Sequence, residues 1–278
     1  MENVIIVDPV KFEKKKKVVK SDGKELFQIV SDFDRTLTVA FIDGKKSNTS
    51  FAQIRDGSFL AEEYRTKANN LFQKYYPIEM DPTIPQEEKK DVMTKWFRAH
   101  LKLMVDYGLT KRVVQDIAKS KVFPRNGFKK FIAFTIKNQI PLVILSSGVG
   151  DLIREFLLHN NFLVDNVHLI SNLFEWKDGK AVAVKEPVIA SFNKSSFEVE
   201  DKSFLKKLES RVNVLVMGDV ISDLDMIKKE KHKTIISVGF VNADVEQYLE
   251  EYKKYFDVLI LNDGPLDFVN DLLKELFE

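Results

Sequence analysis

Two aspartates one residue apart, Asp32 and Asp34, are the residues of this sequence with the clearest capacity for chemistry. The apolar run at residues 26–30 leads directly into them, and a short run of this kind is typical of a buried strand. Residues i and i+2 of an extended segment point the same way, so both carboxyl groups could face one pocket. Two carboxylates that close repel each other unless a cation or a shared proton compensates. A plain turn is the alternative interpretation, and this stretch alone does not separate the two.

Two further predicted strands also end in polar clusters. These clusters are Ser146, Ser147 and Gly148 after the run 142–145, and Asp219 and Asp223 after the run 212–217. The ends of neighbouring parallel strands meet on one edge of a sheet, where ligands bind in open α/β folds. We therefore expect these groups to share one site with Asp32 and Asp34, joined by Lys194 from the segment between the two strands.

Such a set of residues suits phosphoryl transfer. A carboxylate can form an aspartyl phosphate, which makes Asp32 a candidate nucleophile. Asp34 is placed to protonate a leaving oxygen and later to activate water. Lys194 could neutralise the charges of nucleophile and phosphate.

The same cluster predicts a magnesium site. Asp219, together with Asp32 and a main-chain carbonyl near Asp34, would supply the oxygen ligands that Mg²⁺ takes, and Asp223 would be a secondary ligand. The second cluster would bind phosphate. Ser146, Ser147 and Gly148 are expected to open a helix, so that their hydroxyl and backbone N–H groups could donate hydrogen bonds to phosphate.

The rest of the chain divides into two patterns. From about residue 51 to 120 the apolar spacing is helical, with breaks expected at Pro77, Pro82 and Pro85 and an N-cap at Thr110. After residue 124, helices and strands alternate, which is typical of a doubly wound parallel sheet. A hairpin is expected around residues 178–179. The helical stretch therefore looks like an insertion into an α/β fold.

Composition limits the function classes. Among 278 residues, 43 Lys and Arg nearly cancel 42 Asp and Glu, so the net charge of +1 gives no sign of a nucleic acid polymer as partner. Without cysteine there is no disulfide, thiolate metal site or cysteine nucleophile. We see no secretory signal and no apolar run near the ~20 residues of a membrane span, and we expect a cytoplasmic monomer. The basic run at residues 14–17 is interpreted as part of a solvated leading segment.

Taken together, these motifs resemble those of a known family. The sequence Asp-Phe-Asp-Arg-Thr at 32–36, Ser146, Lys194, and Gly218-Asp219 with Asp223 are similar to the four motifs of the haloacid dehalogenase-like phosphohydrolases. The stretches 74–82, 147–151 and 192–194 further resemble the cytosolic pyrimidine 5′-nucleotidases, in one register from about residue 28 to the C-terminus.

This resemblance implies a Rossmann-like core at residues 1–46 and 123–278, with a helical cap at 47–122 inserted after the first motif. It implies Mg²⁺-dependent removal of the 5′-phosphate from nucleoside monophosphates, and in some members transfer of the phosphoryl group to a second nucleoside. It makes Asp32 the nucleophile, Asp34 the acid/base, Ser146 and Lys194 the phosphate binders, and Asp219 a metal ligand supported by Asp223.

The cap residues depart from the family pattern. Lys95 stands before Trp96 where the family has a glutamate expected to contact the base, and Phe51 stands where the family has a histidine. Because an ammonium group only donates hydrogen bonds, Lys95 could not accept one from a base. Phe51 could stack on a base with Tyr107 opposite, although aromatics at helical spacing, such as Trp96 and Tyr107, usually pack in a core. The resemblance implies pyrimidine nucleotides, but these changes leave the base preference open, and a preference moved away from cytosine or methylguanine would fit them.

Two other functions fit the same residues. The same chemistry could act on a sugar phosphate or a phosphoamino acid, or the chain could bind nucleotides without turning them over. The four histidines show no paired spacing that suggests a metal site. Ser146 and Ser147 lack the surrounding pattern of a serine hydrolase nucleophile.

Overall fold

A seven-stranded sheet carries the fold in the computed structural model, which describes residues 3–81, 83–197, 199 and 201–278. The strands are β1 (Val4–Ile6), β2 (Phe27–Ser31), β3 (Phe41–Ile42), β4 (Lys45–Lys46), β5 (Leu142–Val149), β6 (Val167–Asn172), β7 (Phe174–Lys177), β8 (Lys180–Val184), β9 (Asn213–Gly218), β10 (Thr234–Val241) and β11 (Val258–Leu261). The helices are α1 (Pro9–Asp22), α2 (Ser50–Asp56), α3 (Glu62–Met80), α4 (Gln86–Asp106), α5 (Lys111–Ser120), α6 (Phe128–Lys137), α7 (Gly150–His159), α8 (Lys202–Leu208), α9 (Val245–Tyr252) and α10 (Asp267–Phe277).

The main sheet has the order β1-β11-β10-β9-β2-β5-β6. All its neighbours run parallel except β1, which pairs antiparallel with β11. The central strands β2 and β9 are buried along their whole length, as expected for continuous apolar runs covered on both faces. Helices α1, α6, α7 and α10 cover one face, and α8 and α9 cover the other. The predicted doubly wound parallel sheet is confirmed.

Helices α2 to α5 fill the stretch between β4 and α6. In the part of this stretch that the structure describes, residues 50–81 and 83–120, there is no strand. Buried side chains of these helices, such as Ile54 and Leu101, pack with Leu152 of α7 and Phe174 of the β7–β8 hairpin. Packing with α7 and the hairpin fixes the helices over one end of the main sheet.

Two expectations for this helical stretch have different outcomes. Thr110 caps α5 as predicted, because its side chain accepts the N–H of Val113. The predicted break at Pro77 is wrong, since α3 continues through Pro77 to Met80. Proline removes one N–H from the helix ladder, but only three residues follow it here, so little of the helix depends on that bond. The break expected at Pro82 lies outside the described residues.

The N-terminal stretch is more ordered than the sequence suggested. Strand β1 closes one edge of the main sheet, and α1 begins after Asp8, whose carboxylate caps the N–H of Lys11. Within the basic run, the ammonium group of Lys15 lies 2.6 Å from Asp257, and Lys16 pairs with Glu13 and Glu275. These lysines therefore attach α1 to the core. None of the helices in the described residues has both the length and the apolar character needed to cross a membrane.

Candidate active site

Three aspartates meet at the carboxyl end of the central strands. Asp32 follows β2, and its backbone N–H donates to the Met217 carbonyl of neighbouring β9 at 3.0 Å. Asp219 and Asp223 follow β9, the latter in a short 3₁₀ turn. One carboxylate oxygen from each of the three lies within 4.8 Å of the others. The structure thus brings together, from two strand ends, the carboxylates that the sequence placed in one site.

Lys194 lies between two of these carboxylates. Its ammonium group is 2.5 Å from Asp32 Oδ1 and 2.7 Å from Asp223 Oδ1, and the side chain is only 4% exposed. Burial alone would lower the pKa of Lys194, but the Asp223 and Asp32 carboxylates outweigh it and raise the pKa. Lys194 is therefore a fixed positive charge of the site. Its neighbour Asn193 holds the loop by accepting the Ala190 N–H and donating to the Val188 carbonyl.

Burial and neighbouring charges raise the pKa of two carboxyl groups in this cluster. Burial raises the pKa of Asp32, opposed by Lys194 and reinforced by Asp223 and Asp219. Burial and the charge of Asp223 raise the pKa of Asp219 to about 7. The pKa values of Asp32 and Asp219 stay raised although Lys194, Arg35 and Arg125 oppose the shift at Asp219, so a further cation would favour the ionised carboxylates.

Asp34 makes a separate set of contacts. Its carboxyl group accepts the backbone N–H of Ser50 at 3.0 and 3.1 Å and the Ser50 hydroxyl at 2.7 Å. Burial raises the pKa of Asp34, although the bonds from Ser50 oppose this. Asp34 thus lies beside the acidic cluster but is held by the first residue of α2.

The Ser146–Gly148 segment lies at the end of β5 rather than at the start of a helix. The expectation that it opens a helix is wrong, because β5 pairs again with β6 at Val149 after an irregularity and α7 begins only at Gly150. Ser146 is buried, and its hydroxyl accepts the N–H of Gly148 at 3.0 Å. Ser146, Ser147 and Gly148 still line the same cavity as Asp32 and Asp34.

A cavity of about 430 Å³ extends from these strand ends to the helices α2, α3 and α4. Its polar floor contains Asp32, Asp34, Lys194, Asp219 and Asp223. Its far wall is aromatic and is formed by Phe51, Phe72, Tyr76, Trp96, Phe97 and His100. We call this second group the aromatic wall.

Two of the four cap residues predicted to bind substrate belong to the aromatic wall. Phe51 makes an edge contact with Phe97 at a ring distance of 5.1 Å, and Trp96 stacks on Tyr75 at 5.9 Å. Lys95 is exposed and Tyr107 packs near Tyr64, and neither lines the cavity.

Their distance from the cavity has a simple geometric reason. Adjacent residues of a helix point about 100° apart, so Lys95 faces away where Trp96 faces in. Tyr107 lies eleven residues beyond Trp96, about 16 Å further along the helix axis.

The sequence reasoning missed several cavity residues. Glu79 lines the cavity and accepts a hydrogen bond from Ser191, and burial raises the pKa of its carboxyl group. Its spacing with Phe72 and Tyr76 was a usable signal, because i, i+4 and i+7 share one helix face. Ser50 and Arg55 had no comparable signal.

The spacing of the histidines did not single out His100, yet His100 lines the cavity. Its Nε2 lies 3.2 Å from the Tyr64 hydroxyl. Burial, and secondarily Arg55, lower the pKa of His100 to about 3, so the ring is neutral at physiological pH. A neutral ring extends the aromatic wall and brings no charge of its own.

Comparisons with known proteins agree with this geometry. A family model described as pyrimidine 5′-nucleotidase (UMPH-1) matches residues 35–277. The 7-methylguanosine phosphate-specific 5′-nucleotidase A of Xenopus laevis is 32% identical over 270 residues, covering 96% of this chain and 93% of that protein. The human 7-methylguanosine phosphate-specific 5′-nucleotidase is 31% identical over 261 residues, covering 93% of this chain and 87% of that protein.

Solved structures are similar over the whole fold. Cytosolic 5′-nucleotidase IIIB, crystallised with cytidine, superposes with a TM-score of 0.87 and 27% identity over 99% of this chain and 94% of that chain. A phospho-aspartyl intermediate analogue of phosphoserine phosphatase superposes with a TM-score of 0.53 and 16% identity over 88% of this chain and 97% of that chain. The second similarity shows a shared fold alone.

Proposed function

This chain belongs to the pyrimidine 5′-nucleotidase (UMPH-1) family, as its motifs predicted, and we propose that it removes the 5′-phosphate of nucleoside monophosphates through a phosphoaspartyl intermediate on Asp32. Enzymes of this family are hydrolases of phosphoric monoesters. The observation that carries the proposal is the division of one cavity: acids and a lysine form its floor, and aromatic rings form its wall. Phosphate fits the floor, and a nucleobase fits the wall.

In the first step an oxygen of the Asp32 carboxylate attacks phosphorus, and the bond from phosphorus to the nucleoside 5′-oxygen breaks. Asp34 gives its proton to that oxygen, so the nucleoside leaves as an alcohol. Lys194, which already touches Asp32, offsets the charge that gathers on nucleophile and phosphate. Phosphoryl transfer depends mainly on such positioning and neutralisation.

In the second step water attacks the same phosphorus and gives a proton to Asp34, while the bond from phosphorus to Asp32 breaks. Inorganic phosphate leaves, and both aspartates return to their starting state. A nucleoside hydroxyl in place of water would give phosphotransfer, which we include in the proposal. The helices α2 to α4, which we take as part of a cap at residues 47–122, would limit the access of water during the first step.

The acidic cluster suits a hard divalent cation. Asp32, Asp219 and Asp223 present oxygen ligands only, and burial together with the charge of Asp223 raises the pKa of Asp219 despite the nearby cations. We propose that Asp32 and Asp219 hold Mg²⁺, with the main-chain carbonyl of Asp34 as the third protein ligand and Asp223 in support. The ion would neutralise phosphate charge when bound.

Glu79, which lines the cavity from the same helix as Phe72 and Tyr76 of the aromatic wall, favours a particular class of base. A carboxylate accepts hydrogen bonds, so Glu79 could receive the exocyclic amine of cytosine, or both the ring N–H and the amine of 7-methylguanine. Relatives are named for 7-methylguanosine phosphate, and a similar structure was crystallised with cytidine. We therefore propose CMP and 7-methyl-GMP as preferred substrates, which is wider than the pyrimidine preference expected from the sequence. Lys95, on which the expected change of preference rested, does not line the cavity.

Phosphate release from a panel of esters tests the proposal. The panel contains CMP, UMP, 7-methyl-GMP, AMP, a sugar phosphate and phosphoserine, each with Mg²⁺ and with EDTA. We expect Mg²⁺-dependent release that is fastest from CMP or 7-methyl-GMP. Release only from the last two esters would keep the chemistry and reject the nucleotide. Binding of nucleotides without any release would reject turnover. Gel filtration and cell imaging test the expected monomer and the cytoplasmic location.

A further inference from the structure

Ser50 is the first residue of α2 and holds the carboxyl group of Asp34. The side chain of Ser50 is almost fully buried, at 2% exposure. Its N–H reaches both oxygens of Asp34, and its hydroxyl donates to Oδ2 at 2.7 Å. Among the described residues, Ser50 is the only donor of hydrogen bonds to this carboxyl group. The orientation of Asp34 therefore depends on one residue from the helical stretch.

The Ser50 hydroxyl also contacts the phosphate side of the site. It accepts the backbone N–H of Val149 at 3.1 Å, directly after the Ser146–Gly148 segment. Gly148 makes room for this contact, because a Cβ there would lie 2.2 Å from Ser50 Oγ and 3.0 Å from Asp34 Oδ2. One hydroxyl thus joins α2, the Asp34 loop and the end of β5.

The hydrogen bonds distinguish the two oxygens of Asp34. Each carboxylate oxygen offers two lone-pair sites. Oδ2 receives both the N–H and the hydroxyl of Ser50, which fills its sites, whereas Oδ1 receives only the N–H. The remaining site on Oδ1 is where Asp34 can carry a proton.

We propose that Ser50 is a positioning residue for acid/base chemistry: it fixes the rotation of the Asp34 carboxyl group so that Oδ1 carries the proton exchanged with the leaving oxygen and with water. This inference rests on the proposed role of Asp34. It also ties that role to the position of α2, since a displaced α2 would carry Ser50 away from Asp34.

Leaving groups of different basicity test this role. A nucleoside 5′-oxygen needs a proton as it leaves, whereas p-nitrophenolate leaves readily without one. Single-turnover rates of leaving-group release are compared for CMP and p-nitrophenyl phosphate, so that the second step does not contribute. In Ser50→Ala we expect the rate with CMP to fall about 10- to 100-fold and the rate with p-nitrophenyl phosphate to fall less than about 3-fold, as part of the ~10²–10⁴-fold effect of a general acid. Equal losses, or no loss, on the two substrates would overturn the proposal.

Three further variants keep the test decisive. Thr49→Ala removes the neighbouring cap of α2, in which the Thr49 hydroxyl accepts the Ala52 N–H, but it leaves the Ser50 hydroxyl in place. The ratio of the CMP rate to the p-nitrophenyl phosphate rate should therefore not change. If Ser50→Ala does not fold, Ser50→Cys keeps the volume with a weak donor and should still lower the ratio. An unchanged ratio in Ser50→Cys would also count against the proposal.

Asp34→Asn separates the two levels of inference. It should reproduce the selective loss on CMP. If Asp34→Asn shows no selectivity between the leaving groups, the acid role of Asp34 fails and Ser50 has nothing to position. If Asp34→Asn is selective and Ser50→Ala is not, the proposal for Ser50 alone is rejected.

Discussion

The floor and the aromatic wall of the cavity are built by different means. On the floor, charged groups are fixed by short polar contacts, such as those from Lys194 to Asp32 and Asp223. In the wall, rings contact rings, as Phe97 does with both Phe51 and Trp96. We therefore expect few floor positions to tolerate substitution, whereas rings of similar shape should be able to replace one another. Under the proposed function, we therefore expect chemistry and choice of substrate to be carried by separate parts of the molecule.

The largest expected effect comes from the floor, with Asp32→Asn. The amide keeps the volume of the side chain but is no longer a nucleophile, so we expect turnover of every substrate to fall by about 10⁴-fold or more. Single-turnover phosphate release measures the loss, and a melting temperature close to that of the unchanged protein shows that the fold is kept. Asp225→Asn, an exposed aspartate in the same loop as Asp223, is the matched control. Activity near the starting level in Asp32→Asn would reject the covalent mechanism.

Lys194→Met tests the charge balance of the floor. Removing the cation leaves Asp32 and Asp223 facing each other, and we expect kcat to fall by about 10²- to 10³-fold on nucleotides and on p-nitrophenyl phosphate alike. Steady-state rates at saturating Mg²⁺ measure this, with Lys202→Met, an exposed lysine of α8, as the control. A loss confined to nucleotides would place Lys194 with the wall and break the division between the two regions.

The same division explains what the sequence could predict. Asp32, Asp219 and the Ser146–Gly148 segment each follow an apolar run directly, so knowing the strands is enough to bring them to one edge. Lys194 has no such strand before it, and only its neighbours Phe192 and Asn193 singled it out. The parallel sheet was predictable for the same reason, since continuous apolar runs between helices have few other arrangements.

The wall could not be predicted to the same degree. Its rings come from three helices, and the face that each helix turns to the strand ends is decided by packing against α7 and the β7–β8 hairpin. Sequence spacing shows that Trp96 and Lys95 point apart, but not which of them points inward. The sequence could not single out Ser50, because its proposed role depends on contacts with Asp34 and Val149, which lie 16 and 99 positions away in the chain.

Glu79→Gln changes a residue on the same helix as Phe72 and Tyr76 of the aromatic wall, and it should change substrate choice more than chemistry. An amide accepts hydrogen bonds through one oxygen and carries no charge, so the cationic 7-methylguanine should lose more than cytosine does. We expect kcat/KM to fall about 10- to 100-fold for 7-methyl-GMP and less for CMP, with p-nitrophenyl phosphate unchanged. Glu88→Gln, on the exposed start of α4, is the control. A similar loss on p-nitrophenyl phosphate would show that Glu79 acts on the floor.

The smallest effect concerns the binding of magnesium to the floor. In the absence of a cation, Asp219 has a pKa of about 7 in the folded protein, above the ordinary value of 3.8. An acid whose pKa is higher in the folded than in the unfolded state stabilises the fold fully below its unfolded pKa, here about 4. That stabilisation is lost as the pH rises through the folded pKa of about 7. Mg²⁺ needs the ionised form, so below pH 7 it must displace a proton and should bind about tenfold more weakly for each pH unit.

The melting temperature with Mg²⁺ and with EDTA therefore serves as the measurement. We expect the increase caused by Mg²⁺ to be larger at pH 8 than at pH 5.5, and Asp219→Asn to remove most of this difference. An equal increase at both pH values would contradict the assignment of Asp219. The wall offers no competing explanation through His100, because the pKa of His100 is about 3 and its ring stays neutral across this range. A change in the Mg²⁺ response between pH 5.5 and 8 that depends on Asp219 therefore reports on the floor.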